Sequence, residues 1–92
     1  MNKADLTEIL ADRAGIPKVR AARCINIVMQ AISEALQRDE KVTLSDFGTF
    51  TVSRRRPFEG HNPKNGQVMH VPERRIPVFR AGKGFKRTLN PE

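Results

Sequence analysis

Lysines, arginines and prolines are concentrated in one segment of the chain, residues 54–75. Six of its side chains are basic, whereas only Glu59 and Glu73 are acidic. Lysine and arginine bind phosphate oxygens, and a cluster of them releases the counterions of a polyanion. Proline fixes the backbone angle φ and donates no hydrogen bond, so it favours turns and sheet edges. This pattern indicates an anion-binding segment, although a solvated basic surface without a partner has the same composition.

The formal net charge of +7 is confined to the second half of the chain. Residues 1–46 hold seven Lys/Arg and seven Asp/Glu, whereas residues 47–92 hold ten Lys/Arg and three Asp/Glu. A neutral scaffold followed by a basic surface is typical of proteins that bind nucleic acid.

Side chains suited to enzymatic or metal chemistry are sparse. The chain has two histidines and one cysteine, with no carboxylate pair, metal-ligand spacing or phosphate-binding loop near them. We therefore expect a protein without catalytic residues, metal or cofactor. Cys24 cannot form a disulfide within the chain and is expected in the core.

The sequence favours a cytoplasmic protein of one domain. No apolar run is long enough to span a membrane, so no membrane partner is expected. The first residues include Asp5 and Glu8 and are unlike a secretion or organelle signal. A lone cysteine suits a reducing compartment.

Two helices are predicted in the neutral half. Residues 3–14 repeat apolar side chains at helical spacing, with Asn2 as the N-cap and Gly15 as the stop. Residues 18–38 form a longer helix, with Pro17 suited to its first position. The apolar stripe of this second helix is wider than the first helix can cover.

After residue 40, apolar and polar side chains alternate as they do in half-buried strands. In the second strand Phe47 is expected on the face opposite Phe50, and the prolines at 72 and 77 restrict the last strand to a sheet edge. The expected strands cover residues 41–44, 47–53 and 76–79, and a short helix covers residues 83–90.

Residues 54–75 are too polar to bury a core and are expected to form a protruding hairpin, which we call the arm. Its centre, residues 61–66, contains the turn signals Asn-Pro and Asn-Gly. The body of the domain is then residues 1–53 and 76–92. A disordered loop that a ligand orders is the alternative for the arm.

Four motifs, in their order along the chain, resemble the bacterial histone-like HU and IHF family. The motifs are Lys41-Val42-Thr43-Leu44, Phe47-Gly48-Thr49-Phe50, Gly60-x-Asn62-Pro63-Lys64 and Ile76-Pro77-Val78-Phe79-Arg80-Ala81-Gly82-Lys83. The resemblance covers essentially the whole chain, and the Gly-x-Asn-Pro tip followed by Pro-x-Phe-x-Ala-Gly-Lys is a specific combination.

The resemblance implies an α+β fold with two N-terminal helices, a three-stranded antiparallel sheet carrying a long β-arm, and a short C-terminal helix. It also implies an intertwined homodimer, or a heterodimer with a paralogue, which suits a body too small to be stable alone. The residues expected in the dimer core are Leu6, Ile25, Met29, Ile32, Leu36, Phe47, Phe50 and Phe79.

The resemblance further implies an architectural protein of the nucleoid that binds, bends and compacts double-stranded DNA with little sequence preference. Pro63 is expected to insert between base pairs as a wedge in the minor groove, rather than only to shape the turn. Bent, nicked or kinked DNA is expected to bind more tightly, because bending costs free energy. The residues expected to contact DNA are Lys3, Arg54, Arg55, Arg56, His61, Asn62, Pro63, Lys64, Arg74, Arg75, Arg80, Lys83 and Lys86.

Some positions depart from the family pattern. His61 and Phe58 replace residues that are usually basic, while Arg54 and Arg56 add charge nearer the base of the arm. Asp46 stands where glycine is common. His61 is interpreted either as protonated against a phosphate or as a neutral hydrogen-bonding group.

Three alternative functions follow from the same residues. One is a subunit of an IHF-like heterodimer with sequence preference, which would depend on base contacts or deformable DNA steps. The second is an RNA-binding protein, which the lack of RNP-type aromatic residues disfavours. The third is an enzyme, which the scarcity of catalytic side chains disfavours.

Overall fold

A computed structural model of the chain describes residues 1–56, 58–61 and 64–91. The helices are α1 (Lys3–Ala14), α2 (Lys18–Gln37) and α3 (Lys83–Leu89). The strands are β1 (Val42–Leu44), β2 (Gly48–Arg55), β3 (Phe58–His61), β4 (Val68–Val71) and β5 (Arg74–Ala81). Two compact units are present, Met1–Ala35 and Leu36–Glu92. The order of elements confirms the predicted α+β fold.

Helix α1 begins and ends at capping residues, as the sequence predicts. The Asn2 side chain accepts a hydrogen bond from the Asp5 backbone N–H at 3.0 Å, and the Asp5 carboxylate accepts one from the Asn2 N–H at 2.9 Å. This reciprocal pair satisfies two amides that the helix leaves unpaired. Gly15 ends the helix with φ of 66°, a left-handed conformation that favours glycine, and its backbone N–H donates to the Ala11 carbonyl.

Helix α2 begins one residue later than Pro17. The Pro17 carbonyl accepts from the Ala21 N–H at 3.0 Å, so proline occupies the N-cap rather than the first helical position. The helix ends at Gln37. Asp39 follows in the left-handed region with φ of 60° and donates its N–H to the Leu36 carbonyl.

The first unit leaves its large apolar side chains uncovered. Among the residues described, the buried hydrophobic side chains are Ala11, Ala21 and Ala35, whereas Leu6 and Met29 are each 48% exposed. A groove of about 390 Å³ lies between α1 and α2 and is lined by Leu6, Leu10, Cys24, Ile25, Val28 and Met29. The prediction that Cys24 is a core residue of the single chain is wrong, because its side chain lines this open groove.

The second unit contains an antiparallel three-stranded sheet in the order β1-β2-β5. In the β2–β5 register, Phe50 lies opposite Phe79 and Thr49 lies opposite Arg80. Strand β5 is at the edge and contains Pro77, as predicted from the missing N–H of proline. Strand β1 adds Val42 opposite Phe50 on the other side of β2.

One face of this sheet carries an aromatic cluster. The ring centroids of Phe50 and Phe79 lie 4.9 Å apart, and Phe47 stacks on Phe85 of α3 at 5.0 Å. The prediction that Phe47 lies on the face opposite Phe50 is wrong, since its ring also contacts Phe79 at 5.5 Å. Strand alternation does not apply to Phe47, because it lies in the turn before β2.

The turn between β1 and β2 anchors helix α3. Asp46 has φ of 64°, a left-handed conformation that favours glycine. Its carbonyl accepts from the Phe85 N–H at 2.9 Å, and the Phe47 carbonyl accepts from the Gly82 N–H at 2.8 Å. A Cβ atom on Gly84 would lie 2.9 Å from the Asp46 carbonyl oxygen, so this close approach needs glycine.

The arm is a continuation of β2 and β5. The β2–β5 ladder ends at the pair Arg55–Arg74, and β3 then pairs with β4 as a two-stranded antiparallel sheet. The turn contains Asn65, whose side-chain oxygen accepts from the Gln67 N–H at 3.0 Å, and Gly66 with φ of 67°. The predicted Asn-Gly turn is thereby confirmed.

Candidate nucleic-acid interface

Because side chains alternate in direction along each strand, the sheet has a polar face opposite the aromatic cluster. Directly opposed residues of an antiparallel pair project to the same face, and successive residues alternate. The polar face therefore carries, from the turn towards the arm, Thr43, Thr49, Arg80, Thr51, Val78, Ser53, Ile76, Arg55 and Arg74. It combines three guanidinium groups with four hydroxyl groups, all of which suit phosphate oxygens.

Three of the predicted DNA-contacting residues lie on the polar face, two at the arm root and one near the other end of the β2–β5 ladder. Arg55 and Arg74 are exposed and directly opposed at the root of the arm, and Arg80 is exposed opposite Thr49. Like charges placed opposite each other on neighbouring strands repel. An anion bound between Arg55 and Arg74 relieves that repulsion, so this part of the face is suited to a phosphate.

Hydroxyl groups on the polar face are functional candidates that the residue-by-residue prediction missed. The Thr49 hydroxyl donates to the Thr43 hydroxyl at 3.4 Å. A depression of about 520 Å³ on this face is lined in part by Lys41, Thr51 and Arg80. The sequence signal for these hydroxyl groups is the alternation of Thr49 and Thr51 with the apolar residues Phe50 and Val52.

The other two arginines of the arm root lie on the aromatic face and are engaged by acids. Arg54 contacts Asp39 through Nη2 at 2.8 Å and Glu73 through Nη1 at 3.0 Å. Arg75 contacts the second Asp39 oxygen at 3.0 Å. One carboxylate therefore bridges two guanidinium groups, a charge-assisted arrangement with one oxygen for each.

Arg75 also caps the end of helix α2. Its Nη2 donates to the carbonyls of Leu36 and Gln37 at 2.8 and 2.9 Å. These carbonyls lie in the last turn of the helix, and the Leu36 carbonyl also accepts from the Asp39 N–H, so Arg75 adds a side-chain donor at a helix end that is short of backbone donors. A positive charge there is also stabilised by the helix dipole.

The charges of this cluster shift its pKa values. The hydrogen bond from Arg75 is the main reason that the pKa of Asp39 lies below its ordinary value of 3.8, and the positive charge of Arg54 adds to it. The hydrogen bond to Glu73, followed by the negative charge of Asp39, raises the pKa of Arg54. Both shifts favour the charged forms at neutral pH.

The remaining predicted contacts are distributed over the chain. In the first unit, Lys3 donates from Nζ to the Asn26 side chain at 3.0 Å. Arg56 and Lys64 are exposed in the arm, and Lys83 and Lys86 are exposed on α3. The backbone of His61 lies in β3. The predictions for Asn62 and Pro63 fall outside the described residues, as does that for the side chain of His61.

Two further observations concern the described part of the chain alone. None of its helices combines the length and the apolar character needed to cross a membrane. Its histidine, cysteine, aspartate and glutamate side chains include no group of three or more placed to hold a metal ion.

Comparisons with known proteins place these features in a family. Residues 1–90 match the family model described as bacterial DNA-binding protein. The chain is 39% identical over 90 residues to DNA-binding protein HU of Clostridium pasteurianum, covering 98% of this chain and 99% of that one. It is 37% identical over 86 residues to HU of Geobacillus stearothermophilus, covering 94% and 96% of the two chains.

Solved structures agree with this assignment. The chain matches a chain of an Anabaena HU–DNA cocrystal structure with a TM-score of 0.90 and 37% identity, over the full length of both. An HU variant of Thermotoga maritima matches with a TM-score of 0.72 and 26% identity over 98% of this chain and 100% of that one. These matches extend through all three helices, the sheet and the arm, and the chain belongs to the bacterial DNA-binding protein family that includes HU and IHF.

Proposed function

We propose that this protein is an HU-like homodimer that binds double-stranded DNA on the polar face of its sheet, bends it and compacts it at the nucleoid. The observation that carries the proposal is the in-register placement of Arg55, Arg74 and Arg80 on one sheet face, with hydroxyl groups between them. This face offers guanidinium and hydroxyl groups suited to phosphate oxygens, which favours sequence-independent binding.

The choice of DNA is supported by the relative solved as an HU–DNA cocrystal, whose chain has the same fold over its full length. The relatives compared above are HU proteins, which disfavours the alternative of an IHF-like heterodimer subunit. A family of DNA-binding proteins likewise disfavours the enzyme and RNA alternatives.

The proposed homodimer is supported by the apolar surface that the single chain leaves open. Leu6, Met29, Phe47 and Phe79 are 40–48% exposed although all four were predicted for the dimer core. Ile25, Ile32, Leu36 and Phe50 are half-buried. Exposed apolar area of this kind marks an interface, and a second copy of the chain is the partner that would cover it symmetrically.

The arm is proposed to enter the minor groove, with Pro63 as the wedge at its tip. The observed Asn-Gly turn at Asn65 and Gly66 and the paired strands β3 and β4 support a hairpin arm. An apolar residue inserted between base pairs unstacks them and kinks the duplex. Proline suits this role because its fixed φ means that little conformational entropy is lost on insertion.

A binding series on three duplexes of equal length and sequence, intact, nicked and pre-kinked, tests the proposal. Bending costs on the order of 1–6 kcal/mol, so nicked and kinked duplexes should bind more tightly than the intact one. Equal affinity for all three would contradict DNA bending. Competition with single-stranded RNA provides the control, and stronger competition by RNA than by duplex DNA would contradict the choice of nucleic acid.

A further inference from the structure

Asp39 occupies an unusual position between the end of helix α2 and the root of the arm. It lies two residues beyond the helix, with φ of 60°, and its N–H is bonded to the Leu36 carbonyl. Its two carboxylate oxygens contact Arg54 of β2 and Arg75 of β5.

The two arginines that Asp39 contacts are opposed in the β2–β5 register. Without an acid between them their charges would repel. The Asp39 carboxylate cancels that repulsion, and Arg75 carries the connection on to the last carbonyls of α2. The root of the arm is thereby attached to a helix end by contacts from both of its strands.

The orientation of the DNA-facing arginines follows from this attachment. Arg55 and Arg74 are the sequence neighbours of Arg54 and Arg75, so they project to the opposite face of the same two strands. Fixing Arg54 and Arg75 on the aromatic face therefore fixes Arg55 and Arg74 on the polar face. Exposed ion pairs contribute little one at a time, but a shared carboxylate with several short contacts restricts geometry.

We propose that Asp39 is a positioning residue, which sets the direction of the arm by holding its two root arginines against the end of helix α2. This inference rests on the proposed DNA bending, because an arm must be held rigidly if it is to impose a bend. Asp39 acts through Arg54 and Arg75.

The test compares Asp39→Asn with Glu40→Gln. Asparagine tolerates the left-handed backbone and keeps the shape of the side chain, so only the charge is removed. Glu40 is the neighbouring acid, whose carboxylate accepts from Arg38 at 3.2 Å, and its neutralisation changes the net charge by the same amount. The two variants therefore differ in their contact with the arm root and not in overall electrostatics.

The first measurement is amide hydrogen exchange in the free protein. Exchange at residues 54, 55 and 75 should be about fivefold faster in Asp39→Asn than in Glu40→Gln, because the restraint on the root is lost. Exchange at residues 49 and 50 should be the same in both variants. This measurement does not depend on DNA, so it tests whether Asp39 restrains the arm root even if the protein fails to bend DNA.

The second measurement is the ratio of affinities for intact and nicked duplexes. The ratio cancels the gain in electrostatic attraction that both variants share. It should fall about threefold in Asp39→Asn and stay at the wild-type value in Glu40→Gln, since only intact DNA requires a rigid arm. If Asp39→Asn fails to fold, Arg54→Gln tests the same attachment while Arg75 still caps the helix.

Faster exchange at the arm root together with a lower ratio supports the positioning role. Equal values for Asp39→Asn and Glu40→Gln in both measurements overturn it. Faster exchange with an unchanged ratio also overturns it, because the contact would then be structural without influence on bending. A wild-type protein that binds intact and nicked DNA equally well contradicts the proposed function instead. Hydrogen exchange in Asp39→Asn and Glu40→Gln then still shows whether Asp39 restrains the arm root.

Discussion

Arg55 lies directly opposite Arg74 on the polar face of the sheet, one residue along each strand from the opposed pair Arg54 and Arg75 on the aromatic face. The four arginines are consecutive pairs in sequence but belong to two environments. Arg54 and Arg75 are neutralised by Asp39 and Glu73. Arg55 and Arg74 are therefore the pair expected to neutralise phosphates.

Replacing Arg55 with glutamine should weaken the salt dependence of DNA binding. Two phosphate contacts are lost in a dimer, so the slope of log K against log salt should shrink by about 1.8. The matched control is Arg54→Gln measured on a nicked duplex, which does not require a rigid arm, and its slope should stay close to the wild-type value because the Arg54 guanidinium is engaged by acids. Titrations at four or more salt concentrations measure both slopes, and equal changes in the two variants would argue against the assignment of faces.

Replacing Pro63 with alanine should separate bending from binding. The basic residues remain, so affinity for a nicked duplex should be retained, while bending of an intact duplex should fall because the wedge is lost. Fluorescence energy transfer between the two duplex ends measures the bend. Pro72→Ala, which changes a proline before β5 and away from the tip, is the control. A Pro63→Ala protein that bends intact DNA as wild type does would leave Pro63 only a role in the turn.

The open groove of the first unit predicts that stability depends on protein concentration. The melting temperature should rise with concentration, because a dimer is stabilised by mass action. Met29→Glu places a charge in the groove and should shift sedimentation towards the monomer. Val19→Glu adds the same charge at a side chain that is 84% exposed and lies outside the groove, and it should leave the dimer intact. Dissociation by both variants would point to a general charge effect.

Replacing Gly48 with alanine should destabilise the aromatic cluster. A Cβ atom there would lie 2.5 Å from the Phe79 ring and 2.6 Å from the Arg80 carbonyl oxygen. Overpacking of this kind costs about 1–3 kcal/mol of unfolding free energy. Gly15→Ala has no neighbour within 4 Å of the added Cβ atom and should show only the smaller cost of its positive φ. Urea denaturation compares the two, and a larger loss in Gly15→Ala would contradict the close packing at Gly48.

Acid should weaken the attachment of the arm root. The pKa of Asp39 in the folded protein lies below 3.8, mainly because of the Arg75 hydrogen bond. Its contribution to stability is therefore complete above pH 3.8 and is lost as the pH falls through the lower, folded value. Wild type and Asp39→Asn should differ in unfolding midpoint at pH 6, and the difference should shrink below pH 3.8. A difference that stays constant down to pH 2 would contradict the shifted pKa.

Local sequence signals were sufficient for most of the elements. The cap residues Asn2 and Gly15 set the bounds of α1, because each satisfies a specific backbone requirement. The Asn-Gly turn was likewise determined by residues adjacent in sequence. Phe47 was misplaced because strand alternation was extended by one residue into a turn, where Asp46 with its positive φ redirects the chain.

The candidate site was only partly predictable for a different reason. Composition identifies the arginines at 54, 55, 74 and 75 but does not distinguish them. Their division into two pairs depends on the β2–β5 register, and the partner of Arg54 and Arg75 is Asp39, at least fifteen residues away in sequence. The width of the apolar stripe on α2 indicates that part of it stays uncovered, but it does not indicate that Cys24 lies in the uncovered part.

Pro77 has a consequence for the behaviour of this protein at the high local concentration reached on DNA. A sheet edge with free N–H groups can recruit the edge strand of another molecule and extend into an aggregate. Strand β5 forms one edge and is interrupted by a residue without an N–H, while β1 at the other edge is only three residues long. Neighbouring molecules can therefore crowd along a duplex without joining their sheets, which keeps each one able to dissociate.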